Sequence, residues 1–265
     1  MKPEPVSWEY LLPAEFERRL AARPVVYLPL GLCEPHGHIA PFGLDTIKAR
    51  YLCDESARRF GGVVAPTMAY HIHETGYHAP WLREVMGNVN PRLAALPPHV
   101  LLEAFLYQLR AFRNAGFAAA VVVSGHHGGN QEDLRTVARA FSSAYPFEVF
   151  ACSDPELVEG RYRGDHAGFY EVSQLLAIAP DLIDLSRVGR PAHDRLGRFA
   201  QNPDAGSATA DDGRKILDLA IERIGEAVAG FALAARNSPF IPMEAMTPLW
   251  AEIEASRASW RTLNL

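Results

Sequence analysis

Ala118-Ala-Ala-Val-Val-Val-Ser-Gly-His-His-Gly-Gly-Asn130 is the stretch from which the fold can be read. Its first six residues are apolar and half of them are β-branched, which describes a strand covered on both faces, as in a parallel sheet. A polar turn with three glycines follows, and residues 131–145 continue with helical period. The same alternation runs outward in both directions. Upstream, residues 25–30 are a first apolar run. A loop then leads to a helix through Ile47, Tyr51, Leu52 and Ala57 to Phe60, with Asp45-Thr46 standing where an N-cap belongs and Gly61-Gly62 ending it. Residues 63–70 predict a second strand, followed by a long polar-aromatic loop that reaches Pro97-Pro98. Leu101, Leu102, Phe105, Leu106, Leu109 and Phe112 then share one helical face, and Gly116 sits at the C-terminal cap. Downstream, residues 147–152 predict a strand, and residues 168–178 and 211–235 predict helices separated by a segment with no clear period. Strands alternating with helices give an α/β fold with a mostly parallel sheet.

Composition narrows the function classes. A chain of 265 residues with no repeat, low-complexity tract or linker reads as a single domain, residues 1–265. Its 48% hydrophobic and 22% charged residues describe a globular protein. The net charge of −5 offers no basic excess to hold a phosphate backbone, so nucleic acid is not an expected partner. Three cysteines, Cys33, Cys53 and Cys152, show no C-x-x-C spacing, which argues against a disulfide framework or a Cys-based zinc site and for a reducing cytoplasm. The amino terminus is interrupted by Pro and acidic residues, and no apolar run reaches the ~18–20 residues of a membrane span, so neither export nor a membrane partner is expected.

Eight of the ten histidines, His36, His38, His71, His73, His78, His126, His127 and His166, fall in loops after predicted strands. In an open parallel sheet these loops converge on the crevice at the carboxyl ends of the strands, so scattered histidines become one cluster. The first loop carries Glu34, His36 and Asp45; if it stays extended, Glu34 and His36 point the same way about 6–7 Å apart, near enough to serve two metals. Imidazole with carboxylate suits zinc, manganese or iron. The plain alternatives are a helix cap for Asp45 and a solvated loop charge for Glu34. The turn at residues 124–130 lacks both G-x-G-x-x-G and a P-loop Lys, which argues against phosphate binding. A third segment, Gly164-Asp-His166-Ala-Gly-Phe-Tyr-Glu171-Val-Ser173, puts Glu171 about one turn into a helix, on the same crevice as His166.

Taken together, these three segments resemble the creatininase (creatinine amidohydrolase) family. The resemblance rests on Glu34, His36, Gly37, Pro41, Gly43 and Asp45; on Gly125 to Asn130; and on His166, Ala167, Gly168, Glu171 and Ser173. It implies a three-layer α/β/α sandwich, two divalent metal ions per chain, hydrolysis of amide-type bonds and a ring-shaped homo-oligomer such as a hexamer. It also implies metal ligation by Glu34, His36 and Asp45, with Asp45 bridging both ions, and by Glu171 as the carboxylate of the second ion. Creatinine hydrolases themselves take that carboxylate from inside the Gly-His motif, where this sequence has only glycines. For the remaining ligand, counting back from Gly128-Gly129-Asn130 selects His127, whereas counting forward from Gly125 selects His126. We take His127 as ligand and place His126 in the pocket wall.

The family's stretch after its second strand is replaced by Tyr70-His71-Ile-His73-Glu74 and Trp81-Leu-Arg83-Glu84. His73 and Trp81 are thereby candidate substrate contacts, together with His126. A His-rich, Arg-containing wall points to a small polar ring or formamide as substrate, not creatinine. Two ions sharing a water lower its pKa towards neutrality, and His166 is the candidate catalytic proton carrier, imidazole being the side chain suited to general acid-base work; its plain alternative is a residue that orients a ligand. The rivals are a (β/α)8 barrel signalled by His71-Ile-His73, for which too few strands are present, and a serine hydrolase, for which no Gly-x-Ser-x-Gly occurs. A metal- or small-molecule-binding protein without turnover is the remaining alternative.

Overall fold

In a computed structural model that describes residues 4–189, 200–233 and 239–264, strands and helices alternate along most of the chain. In order they are α1 (Pro13–Ala22), β1 (Val25–Leu30), α2 (Leu44–Phe60), β2 (Val63–Val64), β3 (His71–Ile72), α3 (His78–Met86), β4 (Ala95–Leu96), α4 (Pro98–Asn114), β5 (Ala119–Ser124), α5 (Asn130–Ala144), β6 (Glu148–Ser153), α6 (Asp154–Leu157), α7 (Phe169–Ile178), α8 (Ala210–Gly230) and α9 (Met246–Ala255). One four-stranded sheet, order β2-β1-β5-β6, is parallel throughout, and β3 pairs with β4 in a separate two-stranded ribbon.

The period of two along each central strand divides the core. Val25 and Tyr27 of β1 and Ala119, Val121 and Val123 of β5 join a cluster with residues of α2, α7 and α8. Val26, Leu28, Leu30, Ala120 and Val122 face the other way, into a cluster with α4, α5 and α9. Both faces of the sheet are covered, and the expected three-layer α/β/α sandwich is the architecture found.

The strand order also locates the functional crevice. β1 leads to β2 on one side and β5 to β6 on the other, so their following loops diverge at the carboxyl end of the β1/β5 pair, where Leu30 stands beside Ser124. This is the topological switch point of an open α/β sheet.

Several local readings need correction. Residues 63–70 are a strand only at Val63 and Val64: Pro66 has no N–H for a ladder, and the chain rejoins β1 at the single bridge between Leu30 and Met68. The long loop before Pro97 holds β3, α3 and β4, elements too short for a periodicity test. Pro13, read as an interruption, instead starts α1, and Glu15 accepts the Leu12 N–H at 3.0 Å to close that helix end. Helix α9 was not anticipated either. Helix α8 stops at Gly230, and residues 234 and 235 of the longer predicted helix lie outside the described residues, as does His193.

Candidate metal centre

The β1–α2 loop supplies the first ligands. It leaves the sheet without regular structure over residues 31–36 and turns at 37–39, and both Glu34 and His36 are buried, each 1% exposed. Glu34 is therefore no solvated loop charge. Asp45 is not the helix cap either: Gly43 occupies that position and Asp45 stands inside the first turn of α2, 1% exposed. Neither of its carboxylate oxygens has a hydrogen-bond partner, and His36 Nε2, 3.3 Å away, has none. Buried polar atoms left in this way cost about 1–3 kcal/mol each. A divalent cation among them removes that cost, and the donor set of carboxylate and imidazole suits one.

From the β5–α5 turn, His126 reaches the same place: its Nδ1 lies 2.7 Å from Glu34 Oε1 and 3.5 Å from Asp45 Oδ2. Its backbone is held by a relay. The Ile72 N–H donates to His71 Nδ1 (2.8 Å), so neutral His71 donates from Nε2 to Ser124 Oγ (3.0 Å), whose hydroxyl in turn donates to the His126 carbonyl. Gly125 is required by close approach, since a Cβ there would fall 2.1 Å from the Asp45 carbonyl oxygen. His127 borders the pocket and joins none of the groups of ligand atoms described below.

Helix α7 brings the third contribution. Asp165 accepts from the backbone N–H groups of Gly168 (3.1 Å), Tyr170 (2.7 Å) and Glu171 (3.3 Å), which anchors the first turn and with it the Glu171 side chain. Glu171 Oε2 accepts the Ala167 N–H at 2.8 Å and lies 3.5 Å from His36 Nε2. Its Oε1 takes a 2.5 Å hydrogen bond from Lys48, a fully buried residue on α2 whose Nζ is also 3.7 Å from Asp45 and 3.4 Å from Asp154. Lys48 and Asp154 were missed in the sequence. The signals were available: Lys48 follows Asp45 by three positions on one helix, and Asp154 directly follows β6 at the carboxyl edge of the sheet.

Of the four groups of ligand atoms that lie within 4.8 Å of one another among the described residues, one joins Glu34, His36 and His166 and another His73, His78 and His126; the remaining two are Glu34 with Asp45 and His126, and His36 with Asp45 and Glu171. Asp45 belongs to both. Electrostatics match a cation-binding centre. Burial opposes a charge on His36 and His126, yet the carboxylates around them outweigh it and push their pKa values up to about 9 and about 10. Burial likewise opposes charge on Asp45, but His36 and the other nearby cations hold its carboxyl well below the usual range. Without ions, protons on the two imidazoles supply the positive charge that the carboxylates demand.

A pocket of about 490 Å³ opens on this cluster, walled by Glu34, His73, Tyr77, His78, Trp81, His126, His127, His166 and Glu171. His73 and Trp81 thus face the crevice. Fully buried His71 and the Arg83 side chain do not line it, so the anticipated arginine in the wall is absent. His73, His78 and His126 form a further close group, but His73 Nδ1 accepts the Glu74 N–H at 2.7 Å. Burial and the neighbouring His126 push the His73 pKa down to about 2, so its ring is neutral and carries its proton on Nε2. That atom lies 3.5 Å from Glu34 Oε2 on the pocket wall, where in this tautomer it is a hydrogen-bond donor. His166 is set the opposite way: Nε2 donates to the Pro35 carbonyl at 2.8 Å, leaving the lone pair on Nδ1, 4.0 Å from Glu34. Its ring stacks on His36 at 4.7 Å and meets the edge of Trp81 at 4.9 Å.

The family model for creatininase, described as creatinine amidohydrolase, matches residues 9–228. A creatinine amidohydrolase of Pseudomonas putida is 26% identical over 246 residues, which span 81% of this chain and 92% of the relative. Among solved structures, a manganese creatininase superposes with a TM-score of 0.70 at 24% identity, covering 85% of this chain and 98% of that one. A creatininase variant complexed with creatine gives 0.69 at 25% identity, with the same coverage. Among the described residues no helix is long and apolar enough to cross a membrane. With a family match over residues 9–228 and the fold shared over 85% of its length, this chain belongs to the creatininase family of hydrolases.

Proposed function

We propose that the chain binds two divalent ions, of zinc, manganese or iron, and hydrolyses a small polar cyclic or formamide-type substrate, an amide, lactam or cyclic ketone, in preference to creatinine. The observation that carries this reading is Asp45: buried, with neither oxygen hydrogen-bonded, and shared by the group of Glu34 and His126 and the group of His36 and Glu171. Glu34, Asp45 and His126 would hold one ion and His36, Asp45 and Glu171 the other, which gives His126 the place that counting back from Asn130 had assigned to His127. Bound there, two ions supply a nucleophile from water at neutral pH and polarise the substrate carbonyl.

The chain's own residues do the rest. His166, with its lone pair fixed on Nδ1 and facing the pocket, takes a proton at that atom and returns it to the leaving group. His36 and Trp81 hold the ring in place for both transfers. His73 presents its Nε2 proton to a substrate oxygen, and Trp81 and Tyr77 form flat walls that exclude water beside it. A buried donor left unmatched costs about 1–3 kcal/mol, so an oxygen-rich substrate is favoured over planar, oxygen-poor creatinine. Glu171, arriving from α7, supports the same distinction, because creatinine hydrolases take their carboxylate from the Gly-His turn.

The test is elemental analysis of protein purified without chelator, followed by a screen of cyclic amides, formamides, keto-inositols and creatinine. Two ions and a higher kcat/KM for an oxygen-rich substrate than for creatinine are expected. No metal after reconstitution with zinc, manganese and iron would overturn the reading, and binding without product across the screen would favour the non-catalytic alternative. The resemblance's homo-oligomer is part of the same reading, and sedimentation at the mass of one chain would remove it. For His166→Gln, kcat should fall by about 10²–10⁴-fold with both ions retained. A loss of metal in step with activity would instead make His166 an orienter of its neighbours.

A further inference from the structure

Lys48 carries a positive charge into a place built for metal cations. Its side chain is fully buried, and its ammonium lies among three carboxylates, hydrogen-bonded to Glu171 at 2.5 Å and in ion-pair range of Asp154 at 3.4 Å and Asp45 at 3.7 Å, with the Tyr170 ring 5.9 Å away. Two of the three belong to the group of His36, Asp45 and Glu171; among the described residues none of its ion pairs is with Glu34. The ammonium is therefore placed asymmetrically, on one side of the shared Asp45. Asp154 belongs to neither ligand group. Its Oδ2 is taken by Tyr170 OH (3.0 Å) and Gln174 (3.3 Å), which leaves Oδ1 facing Lys48 as an offsetting charge.

Resting on the two-ion reading above, we propose that Lys48 is a positioning residue that makes the two metal positions unequal: it holds the carboxylates together when ions are missing and weakens the ion held by His36, Asp45 and Glu171, so that this position is the exchangeable one. The reason is Coulombic. Two carboxylates as near as Glu171 and Asp154 repel, and an ammonium between them relieves the repulsion. The same ammonium repels a divalent ion that arrives on Glu171, and in a buried site little solvent screens the two. Fully buried and ion-paired with three carboxylates, Lys48 acts here as a charge and not as a nucleophile.

The experiment compares metal-stripped wild type, Lys48→Met and Asp154→Asn by calorimetric titration with Mn2+ and with Zn2+, elemental analysis after dialysis and thermal melting. Methionine keeps the length of the side chain and removes its charge. For Lys48→Met, the second ion should bind at least tenfold tighter, about 1.4 kcal/mol, while the stripped protein melts lower than wild type. Asp154→Asn leaves Lys48 less offset, so the second ion should bind at least tenfold more weakly. An unchanged or weaker second ion in Lys48→Met overturns the proposal and makes Lys48 a clamp on Glu171. If that variant does not fold, an unchanged or tighter second ion in Asp154→Asn overturns it equally. Wild type binding fewer than two ions removes the two-ion reading itself, and this proposal with it.

Discussion

Asp45→Ala is expected to lose both metal ions and at least a thousandfold in kcat/KM, about 4 kcal/mol of transition-state stabilisation. A ligand of one ion only would leave the other in place, but Asp45 is common to both groups. The side chain caps nothing, because Gly43 is the N-cap of α2, so the ~0.5–2 kcal/mol of a lost helix cap is not part of the effect. Stability should change through the ions instead. An ion at 100 times its Kd stabilises the folded chain by about 2.7 kcal/mol, so added metal should raise the melting temperature of wild type and leave that of the variant unmoved. A variant that keeps its metal and only melts lower would return Asp45 to a structural role.

The second large effect separates the adjacent histidines. His126→Ala should reduce bound metal from two ions to one and lower kcat/KM at least a hundredfold, because Nδ1 lies against both Glu34 and Asp45. His127→Ala should keep both ions and change KM, since that ring borders the pocket outside either ligand group. Metal content after dialysis decides between them. Loss of metal in His127→Ala with retention in His126→Ala would restore the alignment counted back from Asn130.

That pair also shows where reading residues in order stops being informative. Two histidines side by side have the same chemistry, and motif spacing with one extra residue fits either. What separates them is the close approach of Gly125 to the Asp45 carbonyl and the relay from His71 through Ser124 to the His126 carbonyl, both contacts between segments far apart in sequence. Asp45 behaves in the same way. Its identity as a candidate was legible from Glu34, His36 and the distance between them, yet Asp ahead of an amphipathic run reads equally well as a cap. Only the backbone, entering the helix two residues earlier at Gly43, frees both of its oxygens from capping.

The sequence by itself determined the central strands and long helices, the parallel sheet, the crevice at the strand ends and the residue types gathered there. It did so because a strand buried on both faces must be continuously apolar and a helix packed on one must repeat every three to four residues. It could not place Lys48, Asp154 or the tautomers of His73 and His166. Those depend on which carboxylate, backbone N–H or carbonyl lies nearby, and such neighbours come from segments 106 to 131 positions apart in the chain or, for His73, from the bend of the next residue's own backbone. Tertiary structure alone decided these, because electrostatic and hydrogen-bond energies follow distance and burial, neither of which is a property of position along the chain.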